Sequence, residues 1–199
     1  MNSGQTTERV YDRLKQQLLS GALAPGERLE PVALADELAS SATPVRDALY
    51  RLLGERLVDA RPSEGFYVPA VNEPGLRDLY AWNGLLIRAA IAAWSRDVSA
   101  PMANELPIGV QHATRALFAR CAERSGNFEI AVQVEAASDR LSAARHVEAQ
   151  LLEAPEDEVR DLASAFDHAG NAALTRLIGV YHRRRLRIVP DIVRGLYRA

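Results

Sequence analysis

Residues 34–68 read LADELASSATPVRDALYRLLGERLVDARPSEGFYV, and this stretch decides the fold of the amino-terminal part of the chain. Its apolar residues recur at helical spacing on both sides of a short polar segment: Leu34, Leu38, Val45, Leu49, Leu52 and Leu53. Within that segment, Ser41, Thr43 and Pro44 are residue types preferred at the N-cap and in the first turn of a helix. The pattern therefore predicts two helices joined by a tight turn.

The residues that follow Leu57 predict a β-hairpin. Residues 58–61 and 65–68 form two short runs on either side of residues 62–64, which have the composition of a turn. Two helices and a hairpin in this order are typical of a winged helix-turn-helix domain, which commonly places its second helix in the major groove of DNA.

The same region resembles the DNA-binding domain of the GntR family of bacterial regulators. The motifs that carry the resemblance are residues 21–29 (GALAPGERL), 34–35 (LA) and 43–49 (TPVRDAL), with Gly65 and Val68. The match extends over residues 6–71 without a gap and implies a winged helix-turn-helix domain at residues 1–71. The candidate DNA-contacting residues in this domain are Ser41, Thr43, Pro44, Arg46, Tyr50 and Gly65.

Each of these candidates also has a purely structural interpretation. Arg46, which shares a helix face with Tyr50, either contacts a base or phosphate or is a surface residue paired with Asp47 or Glu55. The motif context favours contact with DNA. Because Arg46 lies four residues before Tyr50, both side chains face the same side of the helix and would face the same DNA groove.

The predicted roles of Ser41, Thr43 and Gly65 also have two interpretations. The two hydroxyls are expected either to cap the second helix alone or to donate to phosphates while they cap it, because helix N-termini favour anions. Gly65 either lets the wing approach the sugar-phosphate backbone or supplies a positive φ in the turn. The sequence leaves both interpretations open.

Three positions depart from the GntR pattern. Ala42 stands where the family usually has Arg, and Val32 stands where Arg is common in the fatty-acid regulators of the family. Glu64 stands where a basic residue or His often precedes the wing glycine. Each lost Arg–guanine pair forfeits about 1–3 kcal/mol of base discrimination. These departures support an alternative function, a protein-interaction or sensor module that keeps the fold and has lost operator binding.

The charge of the chain also argues against generic binding to polyanions. The formal net charge is −2, and residues 1–71 hold eight Lys and Arg residues against ten Asp and Glu residues. Phosphate contacts supply most non-specific DNA affinity. We therefore expect weak DNA binding by a monomer and a strong dependence on a homodimer that reads a pseudo-palindromic operator.

The rest of the chain predicts only helices. They cover residues 76–97, 106–124 and 128–153, a further segment that starts at residues 154–155 and breaks near Gly170, and a short helix from Pro190 to Leu196. Residues 72–74 form a plausible hinge. The predicted fold class is mainly α, with a winged helix-turn-helix domain at 1–71 and an all-α antiparallel bundle at 72–199 for effector binding and dimerisation.

The bundle resembles, in part, the effector domain of the FadR-like (FCD-type) branch of the GntR family, in a shortened and divergent form. The resemblance rests on residues 166–174 (FDHAGNAAL) and 78–80 (DLY). It implies a small-molecule effector, for which the candidate residues are Asn83, Asn171, Tyr181 and Arg184. Because Asn83 and Ile87 replace the Arg and Glu often found on the opening helix, we expect an apolar or acyl-type ligand, or none.

No metal site and no cofactor are expected. Glu158 and Leu162 occupy the positions at which the family has its metal-binding Asp and His. No two of the four histidines have the i, i+4 spacing that would place both on one helix face: His112, His146, His168 and His182. The chain ends at Ala199, before the later helices that carry two further His ligands in the family are expected to be complete.

The remaining marked features have ordinary interpretations. The basic run HRRRLR at residues 182–187 is expected to be a solvated face, with an acidic effector or partner as the alternative. Trp82 and Trp94 are expected in the core or a dimer interface, and Cys121 as a small buried apolar residue.

Catalysis is not expected. The sequence has no glycine-rich nucleotide loop, no nucleophile motif, and no carboxylate in apolar surroundings that predicts a raised pKa. One cysteine and the lack of a long apolar stretch predict a cytoplasmic protein that does not enter a membrane. The sequence thus predicts a bacterial DNA-binding transcription regulator, more commonly a repressor, with double-stranded DNA and a second copy of itself as partners.

Overall fold

The computed structural model of the chain describes residues 3–94, 106–168 and 170–198. The chain forms two compact units. The first extends to Asn72 and includes a carboxy-terminal segment that begins at Gly195, and the second runs from Glu73 to Arg194. The sequence prediction divides the chain one residue earlier and assigns the whole carboxy-terminal end to the second domain.

The first unit contains three helices and three short strands. In chain order these are α1 (Ser3–Ser20), β1 (Arg28–Leu29), α2 (Pro31–Glu37), α3 (Ala42–Gly54), β2 (Asp59–Arg61) and β3 (Gly65–Tyr67). The strands form an antiparallel sheet in the order β1-β3-β2, in which Ala60 pairs with Phe66 and Leu29 also pairs with Phe66. This is the predicted winged helix-turn-helix, preceded by the helix α1.

The apolar stripe of α3 forms the centre of the core of the first unit. Val45, Ala48, Leu49 and Leu52 are buried on one side of the helix. They join residues of α1 and α2, such as Val10 and Leu34, in one hydrophobic cluster. Burying this stripe leaves the opposite side of α3 exposed, because an amphipathic helix has one apolar face.

The second unit is all-helical in the residues that the structure describes. Its helices are α4 (Glu73–Ala92), α5 (Val110–Glu123), α6 (Phe128–Arg140), α7 (Ser142–Leu151), α8 (Pro155–His168), α9 (Asn171–Arg187) and α10 (Val189–Leu196), the last of which ends in the first unit. In the described ranges, no helix is long and apolar enough to cross a lipid bilayer.

Helix α5 lies at the centre of the bundle. It packs against α4, α6, α7 and α8, and its residues Leu117, Phe118 and Cys121 are fully buried. Helix α9 packs against α4 and α8. The predicted fold class is confirmed, with the winged helix-turn-helix first and an antiparallel helical bundle second.

The single helix predicted over residues 128–153 is wrong, because the chain breaks at Leu141 into α6 and α7. No Pro or Gly marks the break. Backbone hydrogen bonds of helical spacing continue across it, from Leu141 N–H to Ala137 and from Arg145 N–H to Leu141. The buried side chain of Leu141 thus accompanies a local change of direction, which periodicity alone does not reveal.

The predicted hinge at residues 72–74 is also partly wrong, because α4 begins at Glu73 and takes Pro74 into its first turn. Proline is tolerated there because the N–H that it lacks has no helical acceptor. Just before this point, Val71 donates its N–H to the Tyr197 hydroxyl (3.1 Å) and accepts from that hydroxyl at its carbonyl (3.0 Å). The carboxy-terminal segment of the first unit is therefore bonded to the end of its main part.

Candidate functional site

The exposed face of α3 is the first candidate site. Thr43, Arg46, Asp47 and Tyr50 all lie on it and are solvent-exposed, and the Tyr50 side chain is 62% exposed. Their positions follow from the burial of Val45 and its apolar partners on the other side of the helix. The exposed face therefore presents a cation, a hydroxyl and an aromatic ring within two helical turns.

The guanidinium of Arg46 is free to bind an external acceptor. No carboxylate among the described residues lies within ion-pairing distance of it. The alternative predicted from the sequence, an ion pair between Arg46 and Glu55, is not observed. Glu55 binds Lys15 (2.8 Å) and Tyr11 (2.7 Å) instead. The Arg46 charge is therefore not neutralised within the first unit.

Most other cations of the first unit are neutralised by neighbours. Arg51 pairs with Glu8 at 2.9 Å, Lys15 pairs with Glu55, and Arg28 pairs with Glu30 at 2.8 Å. Arg9 donates to the carbonyls of Leu38 and Ala39 at the end of α2. Arg13 and Arg56 have no ion pair among the described residues either, so what distinguishes Arg46 is its place on the exposed face of α3.

Glu55, the residue after the end of α3, is the centre of a network of hydrogen bonds and ion pairs that joins α3 to α1. Although burial opposes it, hydrogen bonds from Lys15 and Tyr11 lower the pKa of Glu55, so the carboxylate stays ionised. The guanidinium of Arg51 lies over the Tyr11 ring at 3.6 Å from its centroid. This network fixes α3 on α1 and therefore fixes the angle at which the exposed face of α3 is presented.

The start of α3 differs in one respect from the prediction. Ser41 has the extended backbone of an N-cap residue, but its hydroxyl makes no capping hydrogen bond. The prediction that this hydroxyl caps the helix is therefore wrong. Thr43 and Pro44 are the second and third residues of α3, and the hydroxyls of Ser41 and Thr43 are both exposed near the N-terminus of the helix.

The wing is joined to α3 through an aromatic contact. The Tyr50 ring meets Phe66 of β3 edge-to-face, with centroids 5.0 Å apart. At the tip, Glu64 N–H donates to the Arg61 carbonyl at 3.0 Å, and the Arg61 guanidinium lies over the ring of Tyr67. Tyr50 thus has a structural contact as well as an exposed surface.

Gly65 has a positive φ of +99°, and Ser63 in the same turn has a φ of +63°. Side chains other than glycine rarely adopt the backbone conformation of Gly65. A Cβ atom built at this glycine meets nothing within 4 Å. Backbone conformation, and not crowding inside the unit, is therefore what calls for glycine here.

The second candidate site is a buried polar cluster in the helical unit. Arg185 of α9 is fully buried, and its Nε donates to Glu148 of α7 at 3.0 Å. Its Nη1 donates to Glu158 of α8. Tyr80 of α4 donates to the same oxygen of Glu148 at 3.1 Å. One guanidinium thus joins three helices, and Tyr80 adds a fourth.

Burial sets the ionisation of this cluster. Burial raises the pKa of Glu148, and the charges of Arg185 and Arg145 oppose the increase. Although burial opposes it, interactions with Tyr181, Glu148 and Glu158 raise the pKa of Arg185 above its ordinary value. The sequence analysis expected no such carboxylate, and Glu148 shows that this expectation is wrong.

His182 is held as a neutral ring. Burial lowers its pKa to about 4, the hydrogen bond to the Ile178 carbonyl opposes this, and the charge of Arg145 adds to it. The ring donates from Nδ1 to that carbonyl at 2.8 Å, so its Nε2 can only accept. The Oδ1 atom of Asn83 lies 3.1 Å from Nε2. Because a neutral ring that donates from Nδ1 has no proton at Nε2, a hydrogen bond here requires the two atoms of the Asn83 amide to exchange places, so that its nitrogen donates.

Aromatic rings surround this part of the cluster. Phe118 stacks on His182 with centroids 6.0 Å apart and meets Tyr181 edge-to-face at 5.3 Å. The guanidinium of Arg145 lies 5.5 Å from the Phe118 centroid. Cations, amide and rings therefore form one contiguous interior group.

Two of the four predicted effector residues lie in this cluster and two do not. Asn83 and Tyr181 are buried in it. Asn171 is exposed at the start of α9 and donates to the Ile91 carbonyl at 3.2 Å. Arg184 is partly exposed, donates to the Glu153 carbonyl and lies 3.7 Å from Glu158.

The prediction that residues 182–187 form a solvated face is wrong at two positions. His182 and Arg185 point into the bundle, while Arg183 and Arg187 are exposed. Arg145 and Glu148 are two further buried residues that the sequence did not single out. They continue the buried stripe of α6 past Leu141 at helical spacing, so their position was signalled by periodicity, but their charge suggested an exposed face.

The predicted positions of Trp82, Trp94 and Cys121 have mixed outcomes. Cys121 is buried as expected, and burial raises its pKa to about 12. Trp94 packs on Phe166 and donates to the Cys121 carbonyl at 2.9 Å. Trp82 is 42% exposed, so it is not a core residue of the bundle.

The comparisons with known proteins concern mainly the first unit. The family model for the gntR family of bacterial regulatory proteins matches residues 6–68, which cover most of α1 and the elements up to β3, including α3. This part of the chain is therefore similar to the gntR family.

Similar curated proteins match the chain mainly in the same region. The HTH-type transcriptional regulator McbR of Escherichia coli is 42% identical over 73 residues, which are 37% of this chain and 33% of McbR. The HTH-type transcriptional repressor GlaR of Escherichia coli is 32% identical over 98 residues, 45% of this chain and 44% of GlaR. The chain spans about a third of the length of the first curated relatives that it matches.

Solved structures extend the likeness to the fold of both parts of the chain. A GntR transcriptional regulator from Rhodococcus sp. RHA1 has a TM-score of 0.79 at 19% identity, over 93% of this chain and 97% of that one. E. coli McbR/YncC has a TM-score of 0.71 at 23% identity, over 96% and 99%. At these identities the likeness shows the fold, including a helical carboxy-terminal domain.

The positions that depart from the GntR pattern have clear surroundings in the structure. Val32 is 62% exposed at the start of α2, Ala42 is the first residue of α3, and Glu64 lies 3.7 Å from Arg61 in the wing. In the helical unit, Leu162 is buried and Glu158 binds Arg185. In the described ranges, no three His, Cys, Asp or Glu side chains group in a way that could hold a metal.

Proposed function

We propose that this protein is a DNA-binding transcription regulator of the GntR family that acts as a homodimer on a pseudo-palindromic operator. The observation that carries the proposal is the exposed face of α3, on which the guanidinium of Arg46 has no intramolecular carboxylate partner among the described residues. In a helix-turn-helix protein, the residues of this face read base edges in the major groove. The named relatives McbR and GlaR, a regulator and a repressor, favour the same function.

Arg46 supplies the charged contact in this proposal. A guanidinium engages guanine O6 and N7 with two hydrogen bonds, or a phosphate through the same fork. The hydroxyls of Ser41 and Thr43 lie at the N-terminal end of α3, where helix amides favour a phosphate. Tyr50, Pro44 and Gly65 complete the surface through van der Waals contact and the shape of the wing.

A second copy is required because one unit offers little net attraction to DNA. The exposed side of α4 is the proposed dimer face: Trp82 and Leu85 are 42% and 51% exposed, with Ala89 one turn further along. An antiparallel pair of α4 helices about a two-fold axis between residues 83 and 84 places Trp82 of each copy against Leu85 of the other. Such a self-complementary contact is what an isologous interface needs.

The helical unit is the proposed site of effector control. An effector changes operator affinity when it binds one arrangement of the two DNA-binding units better than another. The buried polar cluster, which contains Asn83 and Tyr181, is the place for such a ligand. Repression is the proposed direction, after the name of GlaR.

The second candidate function is a protein-interaction or sensor module that retains the fold. Ala42 and Val32 offer no charge where the family often has arginine, and Glu64 at the wing repels phosphate. This function predicts weak binding that does not distinguish between DNA sequences.

A titration on two duplexes separates the two functions. The full chain is titrated by fluorescence anisotropy onto the intergenic DNA upstream of its own gene and onto a scrambled duplex of equal composition, each at two salt concentrations. The regulator predicts at least about a thousandfold preference for the native duplex, at the lower end of specific binding. Equal, weak binding to both duplexes, with the same salt dependence, supports the interaction module and contradicts the regulator.

A further inference from the structure

Asp47 is an exposed carboxylate on the same face of α3 as the candidate DNA-contacting residues. It lies one turn after Thr43 and one turn before Tyr50, and Arg46 precedes it in the chain. Residues three and four positions apart on a helix are neighbours on its surface. Any docking that brings Arg46 and Tyr50 to DNA therefore brings the Asp47 carboxylate to the DNA as well.

The fold gives this carboxylate no ion-pair partner among the residues that the structure describes. Arg51, which lies one turn later and could pair with Asp47, binds Glu8 at 2.9 Å and lies 3.7 Å from Glu55. Asp47 is the sixth residue of α3, and a negative charge gains from the helix dipole mainly in the first turn. Aspartate also has a low helix propensity. The stability of the first unit therefore does not explain an aspartate at this position.

Duplex DNA sets a strict condition on a carboxylate at this position. The phosphates repel it, and its transfer from water into a groove costs free energy unless a donor replaces the lost water. In the major groove, the bases offer two kinds of hydrogen-bond donor, the N4 amino group of cytosine and the N6 amino group of adenine. Asp47 can therefore enter the major groove at low cost only where a base presents an amino group.

Cytosine fits an ionised carboxylate better than adenine does. A carboxylate only accepts hydrogen bonds, and on the adenine edge the acceptor N7 stands beside the N6 amino group and repels it. The cytosine edge presents its amino group without such an acceptor. Arg46, next to Asp47 and without a carboxylate partner in the described ranges, offers the complementary group to guanine O6 and N7. Two adjacent side chains of opposite charge thus match the two bases of G·C pairs.

We propose that Asp47 is a specificity-determining residue, which accepts a hydrogen bond from the N4 amino group of a cytosine in each operator half-site. Thymine is rejected at that position, because its O4 acceptor takes the place of the amino group and repels the carboxylate. This role rests on the proposed function and deepens it, since it names a base that the operator must present. The sequence considered Asp47 only as a partner for Arg46.

Selection from a random double-stranded DNA library tests this role. The full wild-type chain, Asp47→Asn and Asp47→Ala each select duplexes separately, and the enriched half-sites are compared. We expect the wild-type chain to enrich cytosine at one position of each half-site. Asn binds adenine at N6 and N7, so Asp47→Asn is expected to change that position from cytosine to adenine. Asp47→Ala is expected to lose the preference at that position and to keep the others.

Anisotropy titration on the selected duplex measures the contact itself. N4-methylcytosine at the position in question still pairs with guanine, but its methyl group replaces the N–H that faces the major groove. In both half-sites, this base is expected to weaken wild-type binding at least about twenty-five-fold, which is about fivefold for each lost contact. Binding by Asp47→Ala is expected to change by less than about twofold, because the contact is already absent.

Asp12→Asn is the matched control for Asp47→Asn. Asp12 is likewise an exposed aspartate within a helix and has no ion pair among the described residues, but it lies on α1. Both substitutions remove one negative charge from the first unit. We expect Asp12→Asn to enrich the same half-site as the wild-type chain, with cytosine at the same position.

Three results would overturn the role of Asp47. The first is that the wild-type chain and both Asp47 variants enrich the same base at every position. The second is that the wild-type chain binds the methylated and unmethylated duplexes equally, which needs no variant to fold. The third is that Asp12→Asn changes the selected site as Asp47→Asn does. Each of these leaves the proposed function intact, whereas a wild-type chain that enriches no sequence at all contradicts both.

Discussion

At the scale of single residues, two arginines without carboxylate partners in the described part of the chain have opposite surroundings. Arg46 is exposed on the outer face of α3, where water solvates it until a duplex replaces that water. Arg145 is buried in the bundle, where nothing described accepts from one edge of its guanidinium. Arg46 is thus open to an external acceptor, whereas Arg145 is enclosed by the helical unit.

The prediction for Arg46 is a loss of sequence-specific affinity. Arg46→Ala is expected to cost about 1–3 kcal/mol for each copy that contacts a guanine, which is at least about thirtyfold in a dimer's Kd. Anisotropy titration on the native duplex measures it. If Arg46 binds a phosphate instead, affinity falls on native and scrambled duplexes alike and the salt dependence weakens.

The control for Arg46→Ala is Arg160→Ala, which removes an equally exposed charge from α8. It is expected to leave both duplex affinities within a factor of about two, because surface changes distant from a site have small effects. An Arg46→Ala variant that binds the native duplex like the wild type would remove Arg46 from the interface.

His182 predicts a pH dependence of stability. Its pKa in the folded protein is about 4, below the 6.5 of an unperturbed histidine, because the ring is buried and faces Arg145, Arg185 and Arg88. The unfolded chain therefore binds a proton first as the pH falls. Stability is retained above pH 6.5 and is lost between pH 6.5 and 4, by up to about 1.4 kcal/mol per pH unit.

Denaturant unfolding of the wild type and of His182→Gln, at several pH values, measures this contribution. Gln keeps a polar group near Asn83 and does not titrate. The difference in unfolding free energy between the two proteins is expected to fall with pH across this window. A difference that stays constant from pH 7 to pH 4.5 would show that His182 is not buried as a neutral ring.

At the scale of elements, the sequence predicted the winged helix-turn-helix, but it did not predict which polar residues lie inside the helical bundle. The spacing of Val45, Leu49 and Leu52 sets the buried side of α3, so the exposed side with Arg46 and Tyr50 is predictable. The cluster around Arg145 was not predicted, because charged residues are expected on the exposed face of a helix and the partners that hold Glu148 inside lie on other helices, far away in the sequence.

The basic run shows the same limit for α9. Six residues of similar charge, 182–187, suggest one solvated face, but a helix turns each successive side chain by about 100°. Arg185 is therefore carried inward to Glu148 and Glu158, while Arg183 remains outside. Which residue of such a run is buried depends on acidic partners on other helices, and these are far apart in the sequence.

The ion pair that joins α7 to α9 is expected to be a large contribution to the stability of the bundle. Glu148→Gln leaves Arg185 with one direct carboxylate and removes a buried negative charge, so we expect a loss of about 3 kcal/mol in unfolding free energy. Denaturant melts of the full chain measure it.

The matched control is Asp157→Asn, which breaks the exposed pair with Arg160 at the start of α8. An exposed pair contributes little, and we expect a change of less than about 1 kcal/mol. Equal effects of Glu148→Gln and Asp157→Asn would contradict the role of the buried pair.

At the scale of the whole molecule, we expect the proposed regulator to need a second copy, because residues 1–71 are slightly acidic. One copy offers Arg46 and the hydroxyls of Ser41 and Thr43, and most of the other cations of the unit are held by carboxylates or carbonyls. Two copies double these contacts at little further entropic cost once the dimer exists. Sequence-specific binding therefore depends on self-association.

Trp82→Asp tests the proposed dimer face. A charged residue in place of an interfacial tryptophan is expected to weaken the dimer by about 2 kcal/mol or more, which is about thirtyfold. Analytical ultracentrifugation over a range of concentrations measures the dissociation constant. The control is Val180→Asp on α9, where an apolar side chain of similar exposure (44%) lies outside the α4 face.

Dissociation by Trp82→Asp, with an intact dimer for Val180→Asp, supports the α4 face. If both variants remain dimeric, or if both dissociate, the dimer forms elsewhere. Circular dichroism of each variant shows whether the helical fold is retained, so that unfolding is not mistaken for dissociation.

Hydroxyl-radical footprinting of the full chain on its own upstream DNA tests the central claim most directly. Two copies of α3 in the major groove predict two protected half-sites of inverted sequence, with centres about one helical turn (~10 bp) or a multiple of it apart. Arg46→Ala should lose both protected regions together. Uniform protection along the DNA, or a single protected stretch without two-fold symmetry, would contradict the claim that this protein reads an operator as a dimer.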